Sequence, residues 1–393
     1  MAPEHPDLYC TVILRLVFWF WLFVGPALVL ALRSLAGERA RAKYTRQRLC
    51  EHNEKLPPAS VIVPVKGYDE GLRENLAALA ALDYPDYELV VVARSAGDIP
   101  PGVLPRRSKV VLAHAEQAGT SEKVLNLAAA VHATRKRTEI FAFADSDGRV
   151  TARWLRALVA PLYEVGVGAT TGYRWFTPRR PGWALLRGVW DAVAAGMLGP
   201  GDNPFAWGGA MAMRKQTFFQ ARVPEYWKSA ISDDYELSKA VHAAGLTIAY
   251  APGALVPCVE AISGWRLFTW MRRQMMITRA YNPGNWWPGL IAHILYCGAM
   301  VADVLALAHA HRVGAVALVL QLAPGMIKGG LRARHARQAL PEYKSWFRRW
   351  SWVHVAMVPI ATWMWLVALG SSAFGHTIQW RGYRYELKTR RGV

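Results

Sequence analysis

The sequence is short of acid. Twenty-eight Asp and Glu stand against 47 Lys and Arg, a formal excess of +19 over 393 residues. A surplus of that size calls for an anionic partner: nucleic acid, an anionic membrane surface or anionic substrates. Patterned cysteine is lacking too. Cys10, Cys50, Cys258 and Cys297 are scattered, with no C-x-x-C pair. They make neither a zinc site nor a disulfide framework, and reduced thiols fit a cytosolic domain. No internal repeat or low-complexity segment is evident. No Lys or Arg precedes Cys10, so the positive start of a cleaved signal peptide is missing.

Apolar residues are what the chain has in plenty. They make up 53% of it, and 18 residues are Trp, which gathers at membrane interfaces. This argues against nucleic acid and for a membrane. Leu16–Leu32 carries no charge and with its flanks is long enough to cross a bilayer; an N-terminal transmembrane helix is expected over 10–33. Arg33, Arg39, Arg41, Lys43, Arg46 and Arg48 crowd its far side, so the positive-inside rule puts Met1 outside and the bulk of the chain in the cytosol. Three further apolar segments, Trp286–Ala308, Val313–Ile327 and Trp352–Ser372, fall in a membrane region expected over 283–375. Asp303 in the first is explained by snorkelling towards a helix end. Three crossings would place the basic tail (376–393, with Arg381, Arg384, Lys388, Arg390 and Arg391) outside, against the same rule. One of the last two segments is therefore irregular, and Trp352–Ser372 is expected to be it.

Between these lies a stretch, 51–282, that alternates strand and helix. Ser60–Val65, Tyr87–Ala93 and Glu139–Ala144 read as buried strands. Glu70–Leu82, Ser121–His132 and Ala152–Val165 read as helices, and Gly97–Ser108 as a Pro-rich surface loop. Such alternation predicts an open parallel sheet with helices on both faces. Ligands of these sheets sit beyond the carboxyl ends of the strands. Lys66–Asp69 and Asp145–Asp147 both fall at such ends, which predicts one crevice.

The acids that do occur are placed in two short groups, Asp145-Ser146-Asp147 and Asp233-Asp234. The first could hold a divalent cation against a diphosphate, since hard cations prefer carboxylate oxygen; a solvated turn at a strand end is the alternative. The second could take a proton from an attacking hydroxyl, or cap the helix expected over Tyr235–Ala244; the two roles are compatible.

Laid in order, the pieces resemble a family-2-type, GT-A fold glycosyltransferase, and more narrowly ceramide glucosyltransferase and its bacterial relatives. The matching pieces are Val63–Asp69, Leu82–Pro85 with Tyr87-Glu88, Asp145–Asp147, Gly208–Lys215 and Asp233–Tyr235. The resemblance runs from about Ser60 to Tyr281 and extends to the membrane layout. It implies an α/β class: a GT-A Rossmann-like, mostly parallel sheet domain with one N-terminal and about two to three C-terminal membrane helices.

The resemblance also implies roles. Asp234 would be the general base. Val65, Lys66, Asp69, Lys123, Asp145, Gly208 and Gly209 would bind the nucleotide sugar, and Asp145 and Asp147 a divalent cation, Mn²⁺ or Mg²⁺. Gly208-Gly209 suits positive φ or close approach to the sugar, and Trp207 could stack on that sugar or pack. The family's last box, (Q/R)-x-x-R-W, is departed from: Trp270–Arg279 has Arg and Gln but no R-W. Arg272, Arg273 and Gln274, with Arg279 behind them, are the candidates to meet the diphosphate; an amphipathic helix on lipid head groups is the alternative. Trp380-Arg381-Gly382 resembles a C-terminal element of the bacterial relatives that could return to the active-site mouth.

The expected activity is inverting transfer of a sugar, glucose by resemblance, from a UDP-sugar to the hydroxyl of a membrane lipid such as ceramide, at a bacterial inner membrane. Trp183–Leu198 could lie in the interface beside the acceptor's path. A polysaccharide synthase is the rival within the class, though it would need an intact box and more crossings. A catalytically dead membrane binding or scaffold protein is the rival outside it, opposed by the four aspartates together.

Overall fold

The computed structural model describes residues 6–51, 55–310 and 312–387. Met1 and the tail residues Lys388, Arg390 and Arg391 lie outside them. The first element, α1 (Pro6–Cys50), is one helix of 45 residues and does not stop where its apolar run ends. Its second half is docked on the sheet domain. Arg41 is buried, with Nε donating to Leu198 O at 2.8 Å and Nη1 to Glu38 at 2.9 Å. The Tyr44 hydroxyl donates to Tyr250 O at 2.7 Å. The basic stretch after Leu32 thus serves in part to fix α1 to the sheet domain.

The middle of the chain forms a seven-stranded sheet in the order β3-β2-β1-β4-β6-β5-β7. β1 (Ala59–Pro64), β2 (Tyr87–Ala93), β3 (Ser108–Leu112) and β4 (Ile140–Ala144) run parallel. β5 (Val167–Phe176) and β7 (Thr247–Cys258) are parallel to each other, and β6 (Ala210–Arg214) is antiparallel to both its neighbours. The mostly parallel α/β class is therefore present, and the purely parallel sheet is corrected at β6. That reversal matters because Ala144 pairs with Ala210: the loop entering β6 arrives at the same edge where β4 ends.

Side-chain alternation fills both faces. Val61 and Val63 of β1 point to a layer with Leu72, Leu76 and Trp154, while Ile62 joins Val90, Leu127, Phe141 and Phe143 on the other side. The covering helices are α2 (Leu72–Ala80), α3 (Glu122–His132) and α4 (Trp154–Val159). Beyond β5 come α5 (Trp183–Ala195), α6 (Lys215–Gln220), α7 (Val223–Trp227) and α8 (Asp233–Ala243). α8 starts one residue after its cap, Ser232, whose hydroxyl accepts from Tyr235 N. Asp233 and Asp234 are first-turn residues, not the cap, so that expectation is corrected. α5 is mostly buried rather than laid flat on an interface: its Asp191 meets Arg174 of β5 and its Trp190 packs under the following helices.

α9 (Gly264–Tyr281) leads to α10 (Pro283–Ala310) and α11 (Arg312–Ala339). α1, α10 and α11 are the helices long and apolar enough to cross a membrane among the described residues. They pack through Val24, Ala27, Ala299 and Ala317, small residues that allow close approach. α11 runs straight through Pro324-Gly325. Asp303 does not snorkel: it is fully buried, with neither carboxylate oxygen hydrogen-bonded. The last segment is broken. After α12 (Lys344–Trp350), α13 (Val353–Ala356) stops at Met357 and α14 (Val358–Ser372) follows with 15 residues, short of the ~20 a span requires. A hairpin, β8 (Thr377–Trp380) and β9 (Tyr383–Glu386), closes the chain.

Candidate active site

β1 and β4 are neighbours, so the segments leaving them, Lys66–Asp69 and Asp145–Asp147, stand side by side. Ser146 Oγ donates to Asp69 at 2.6 Å and locks the two together. α3 begins beside them under its Ser121 cap, and this aims Lys123 inward. Its ammonium meets Asp145 at 2.8 Å and Asp233 at 3.1 Å. Burial opposes the charge on Lys123, but Asp145, Asp233 and Asp234 outweigh it and hold the pKa above the ordinary lysine value. One cation thus welds α3, β4 and α8.

The two members of the second acidic pair differ. Asp233 is buried, and burial pushes its pKa up to about 6 despite Lys123. Asp234 is half-buried and lines the cavity. Its carboxylate accepts from Gly208 N at 3.2 Å, from Tyr235 N at 2.8 Å and from the Ser232 hydroxyl. Three donors on one carboxylate fix its direction.

Neither Gly208 nor Gly209 has positive φ, so that half of the expectation is corrected; close approach is what they provide. A Cβ on Gly208 would stand 2.5 Å from Asp233 Oδ2, and one on Gly209 2.3 Å from the Trp207 ring and 2.8 Å from Asp145 Oδ2. Trp207 packs against Tyr173 and under the Arg174 guanidinium, with one edge on the cavity.

The opposite wall is basic. Arg273 and Gln274 of α9 face the cavity. Arg273 makes no ion pair or hydrogen bond among the described residues; burial, with Arg174 and Arg381 nearby, lowers its pKa to about 10. Arg272, one residue earlier, points elsewhere: it donates to Ser371 O and Phe374 O at the end of α14. Arg279 likewise binds Ala373 O and Gly375 O. Neither meets the cavity, because neighbouring residues on a helix diverge by about 100°. The hairpin supplies the roof. Arg381 binds Asp69 at 2.6 Å, and Tyr383 lies over Lys66 with Nζ 3.8 Å from the ring centroid. Val65, Lys66, Lys123, Asp145, Asp147 and Asp234 line the same chamber.

Arg174 was not foreseen. It is held by Asp191 at 2.8 Å, carries no motif, and projects from near the carboxyl end of β5. Its alternation with the inward Tyr173 and Trp175 was the available signal.

Asp147 has no hydrogen-bond donor on its carboxylate among the described residues. Burial, then repulsion from Asp145 and Asp69, pushes its pKa up to about 7. Among the described residues no group of three or more His, Cys, Asp or Glu could form a self-sufficient metal site. Two close carboxylates, one without a cation, match the other mode: Mg²⁺-like ions held by one or two carboxylates plus substrate phosphates. The donor set fits.

The chain belongs to glycosyl transferase family 21. The family model matches residues 20–393, nearly the whole chain, and the protein is a glycosyltransferase. A search of curated proteins returned no match. Among solved structures the chain is similar to the mannosyltransferase PcManGT from Pyrobaculum calidifontis in complex with GDP-Man and Mn²⁺. The identity is 18%, covering 90% of this chain and 99% of that one, with a TM-score of 0.46. It is also similar to glucosyl-3-phosphoglycerate synthase from Mycobacterium tuberculosis with Mn²⁺, UDP and glucosyl-3-phosphoglycerate. There the identity is 16%, covering 57% of this chain and 80% of that one, with a TM-score of 0.40.

Proposed function

We propose that this glycosyltransferase moves a hexose, glucose in the first instance, from a UDP-sugar to the hydroxyl of a ceramide-type membrane lipid, with inversion. The observation that carries the reading is Asp234: a half-exposed carboxylate, oriented by three donors, on the acidic wall of a chamber whose other wall is arginine. Asp234 takes the proton of the acceptor hydroxyl, whose oxygen bonds to the anomeric carbon as the bond to the diphosphate breaks. The proton then leaves Asp234 for solvent. A single displacement turns an α-linked donor into a β-glycoside. Arg273 and Gln274 receive the diphosphate and stabilise the charge that develops on it. Val65, Lys66 and Asp69 seat the base and ribose, and Gly208 and Gly209 leave room for the sugar.

Asp145 and Asp147 would hold a Mn²⁺ or Mg²⁺ ion, which supplies charge neutralisation of the diphosphate when bound. Chelation with EDTA should silence transfer and added metal restore it; undiminished activity after exhaustive chelation removes the metal from the reading.

The acceptor assignment rests on the wall behind Trp270. Trp270 lines the chamber and packs on Trp190, which belongs to an apolar cluster with Met271, Met275, Trp286, Trp365 and Leu369. The chamber thus backs onto the layer that joins the domain to its membrane helices, and a lipid hydroxyl reaches it without leaving the bilayer surface. By the positive-inside rule this is the cytosolic face, at the inner membrane if the source is bacterial.

Radiolabelled UDP-sugar with membranes is the test. Label in organic-extractable, single-sugar lipid is expected. Label in high-molecular-weight polymer would promote a polysaccharide synthase, and no UDP release with any lipid acceptor a dead scaffold.

A further inference from the structure

A second cavity, of about 270 Å³, lies among α1, α5, α10, α11 and α14. It is separate from the active site. Trp365 lines the second cavity and Trp270 the first, and Trp190 stands between them, stacked on Trp365 at 4.3 Å and edge-on to Trp270 at 5.4 Å.

The cavity presents both charge and hydrocarbon. At the end nearest the sheet domain stand Lys328 and Arg332, one turn apart on α11. Arg332 pairs with Glu38 at 2.8 Å, a carboxylate it shares with Arg41. Lys328 has no ion pair among the described residues, and its Nζ donates to Ser34 Oγ at 2.7 Å. Ser34 stands two residues past Leu32, the end of the apolar run of α1, so this ammonium sits at the membrane boundary, where lipid phosphates lie. The rest of the lining mixes apolar side chains, among them Met300, Leu322 and Val358, with His293, Tyr296, Thr362 and His354. A cation at the boundary beside hydrocarbon surface suits an amphiphile.

One buried acceptor is left over inside. Gln321 donates its amide to Tyr296 O at 2.8 Å, and its Oε1 is buried with no partner among the described residues. Buried acceptors are almost always satisfied. A water carried in beside the ester groups of a lipid would satisfy this one.

We propose that this cavity binds an acidic glycerophospholipid, with the phosphate against Lys328 and Ser34 and an acyl chain along the apolar wall. Basic pockets between membrane helices select acidic head groups in this way. The bound lipid wedges α11 and α14 apart from α5, the helix behind the active-site wall. It is neither donor nor acceptor, because the tryptophan partition keeps it from Asp234. The proposal rests only on the membrane placement of α1, α10 and α11, and it stands or falls apart from the choice of sugar acceptor.

The experiment measures retention rather than transfer. The full chain is reconstituted into vesicles of phosphatidylcholine mixed with phosphatidylglycerol and re-extracted in mild detergent, and its bound lipid is quantified by mass spectrometry. Wild type should retain phosphatidylglycerol in preference to phosphatidylcholine. Lys328→Gln should lose that preference by about fivefold, the factor equivalent to ~1 kcal/mol per basic residue, and Lys328→Arg should keep it. Leu322→Trp, which fills the apolar wall and keeps the charge, should also lose retention, so the result does not hang on the folding of one variant. Asp234→Asn should retain lipid as wild type does. Equal retention of the two lipids, or full preference in Lys328→Gln, overturns the proposal. So does inorganic phosphate displacing the lipid at millimolar concentration, which would make this a free-anion site.

Discussion

The two walls of the active chamber are built on opposite plans. The acidic wall comes from the carboxyl ends of β1 and β4 and from the first turn of α8, and its members are tied to one another. Lys123 bridges Asp145 and Asp233, Ser146 ties Asp69, and Gly208 and Ser232 orient Asp234. The basic wall comes from α9, which links β7 to α10, and from the terminal hairpin that follows α14. There Arg273 has no ion-pair partner among the described residues, and Arg381 reaches across to the other wall. Ties of the first kind preorganise a base. Charges of the second kind wait for an anion. If that contrast is right, damage to the acidic wall should cost chemistry or folding, and damage to the basic wall should cost donor binding.

The largest effect is expected at Asp234. Asp234→Asn keeps size and removes the proton acceptor; its single carbonyl oxygen can still accept either from Gly208 N or from Tyr235 N, which bind different carboxylate oxygens. Transfer should fall by about 10²–10⁴-fold, with donor affinity near wild type by fluorescence or calorimetric titration. A variant retaining more than about a tenth of the rate would move the base elsewhere, with Asp233 next in line. Lys123→Met should come second, through stability. It leaves Asp233 buried and uncompensated and the partly exposed Asp145 without its cation, a loss of about 3–5 kcal/mol for a broken buried pair. Thermal denaturation in detergent should show it as a clear drop, with Lys123→Arg recovering part.

Much of the acidic wall was legible in the sequence because its signals are local. An apolar strand ending in Asp145-Ser146-Asp147, or a pair of acids opening a helix, lies within a few residues and needs no knowledge of the partner. The basic wall was legible only as a choice. Arg272 and Arg273 are adjacent, and which one faces the chamber depends on the rotation of α9, set by Leu267, Met271 and Met275 packing into the cluster with Trp190. That packing joins residues far apart in the chain. Arg174 was missed for a related reason: its meaning comes from β5 lying beside β6 and from Asp191 across from it. The antiparallel turn of β6 was hidden because an Ala-Met run carries little strand signal. Asp303 was misread because depth along a helix is legible, whereas the face it turns to α11 is not.

On the basic wall, Arg273→Ala should raise the KM for the donor and lower kcat/KM by about 10–100-fold, the range for one charge-assisted hydrogen bond at ~1.5–3 kcal/mol. Stability should change little, since Arg273 has no ion pair or hydrogen bond among the described residues and only a distant contact with the Trp380 ring at 6.0 Å. Arg272→Ala is the internal control. It should leave donor affinity unchanged and lower thermal stability instead, because it releases the carbonyls at the end of α14. If Arg272→Ala weakens donor binding as much as Arg273→Ala does, the two walls are not distinct in the way described.

The smallest effect is expected where the walls touch. Arg381 is more than a third exposed on its side chain, and its pair with Asp69 is short at 2.6 Å. Exposed pairs contribute about 0–1 kcal/mol, so Arg381→Ala should change kcat/KM by no more than about fivefold. The direction carries the information. The hairpin is held by this pair and by Tyr383 over Lys66, and Arg381 occupies Asp69, a residue proposed to seat the base and ribose. If Arg381 competes with the nucleotide for Asp69, its removal should lower the donor KM; if it closes over the nucleotide, removal should raise it. Arg381 also donates to Lys66 O at 3.3 Å, and Lys66 is bound at 2.5 Å to Glu122, so the strand-end loop is already positioned without it. Competition for Asp69 is therefore the expected result, read as a lower KM with kcat unchanged, and a raised KM would make the hairpin a part of the donor site.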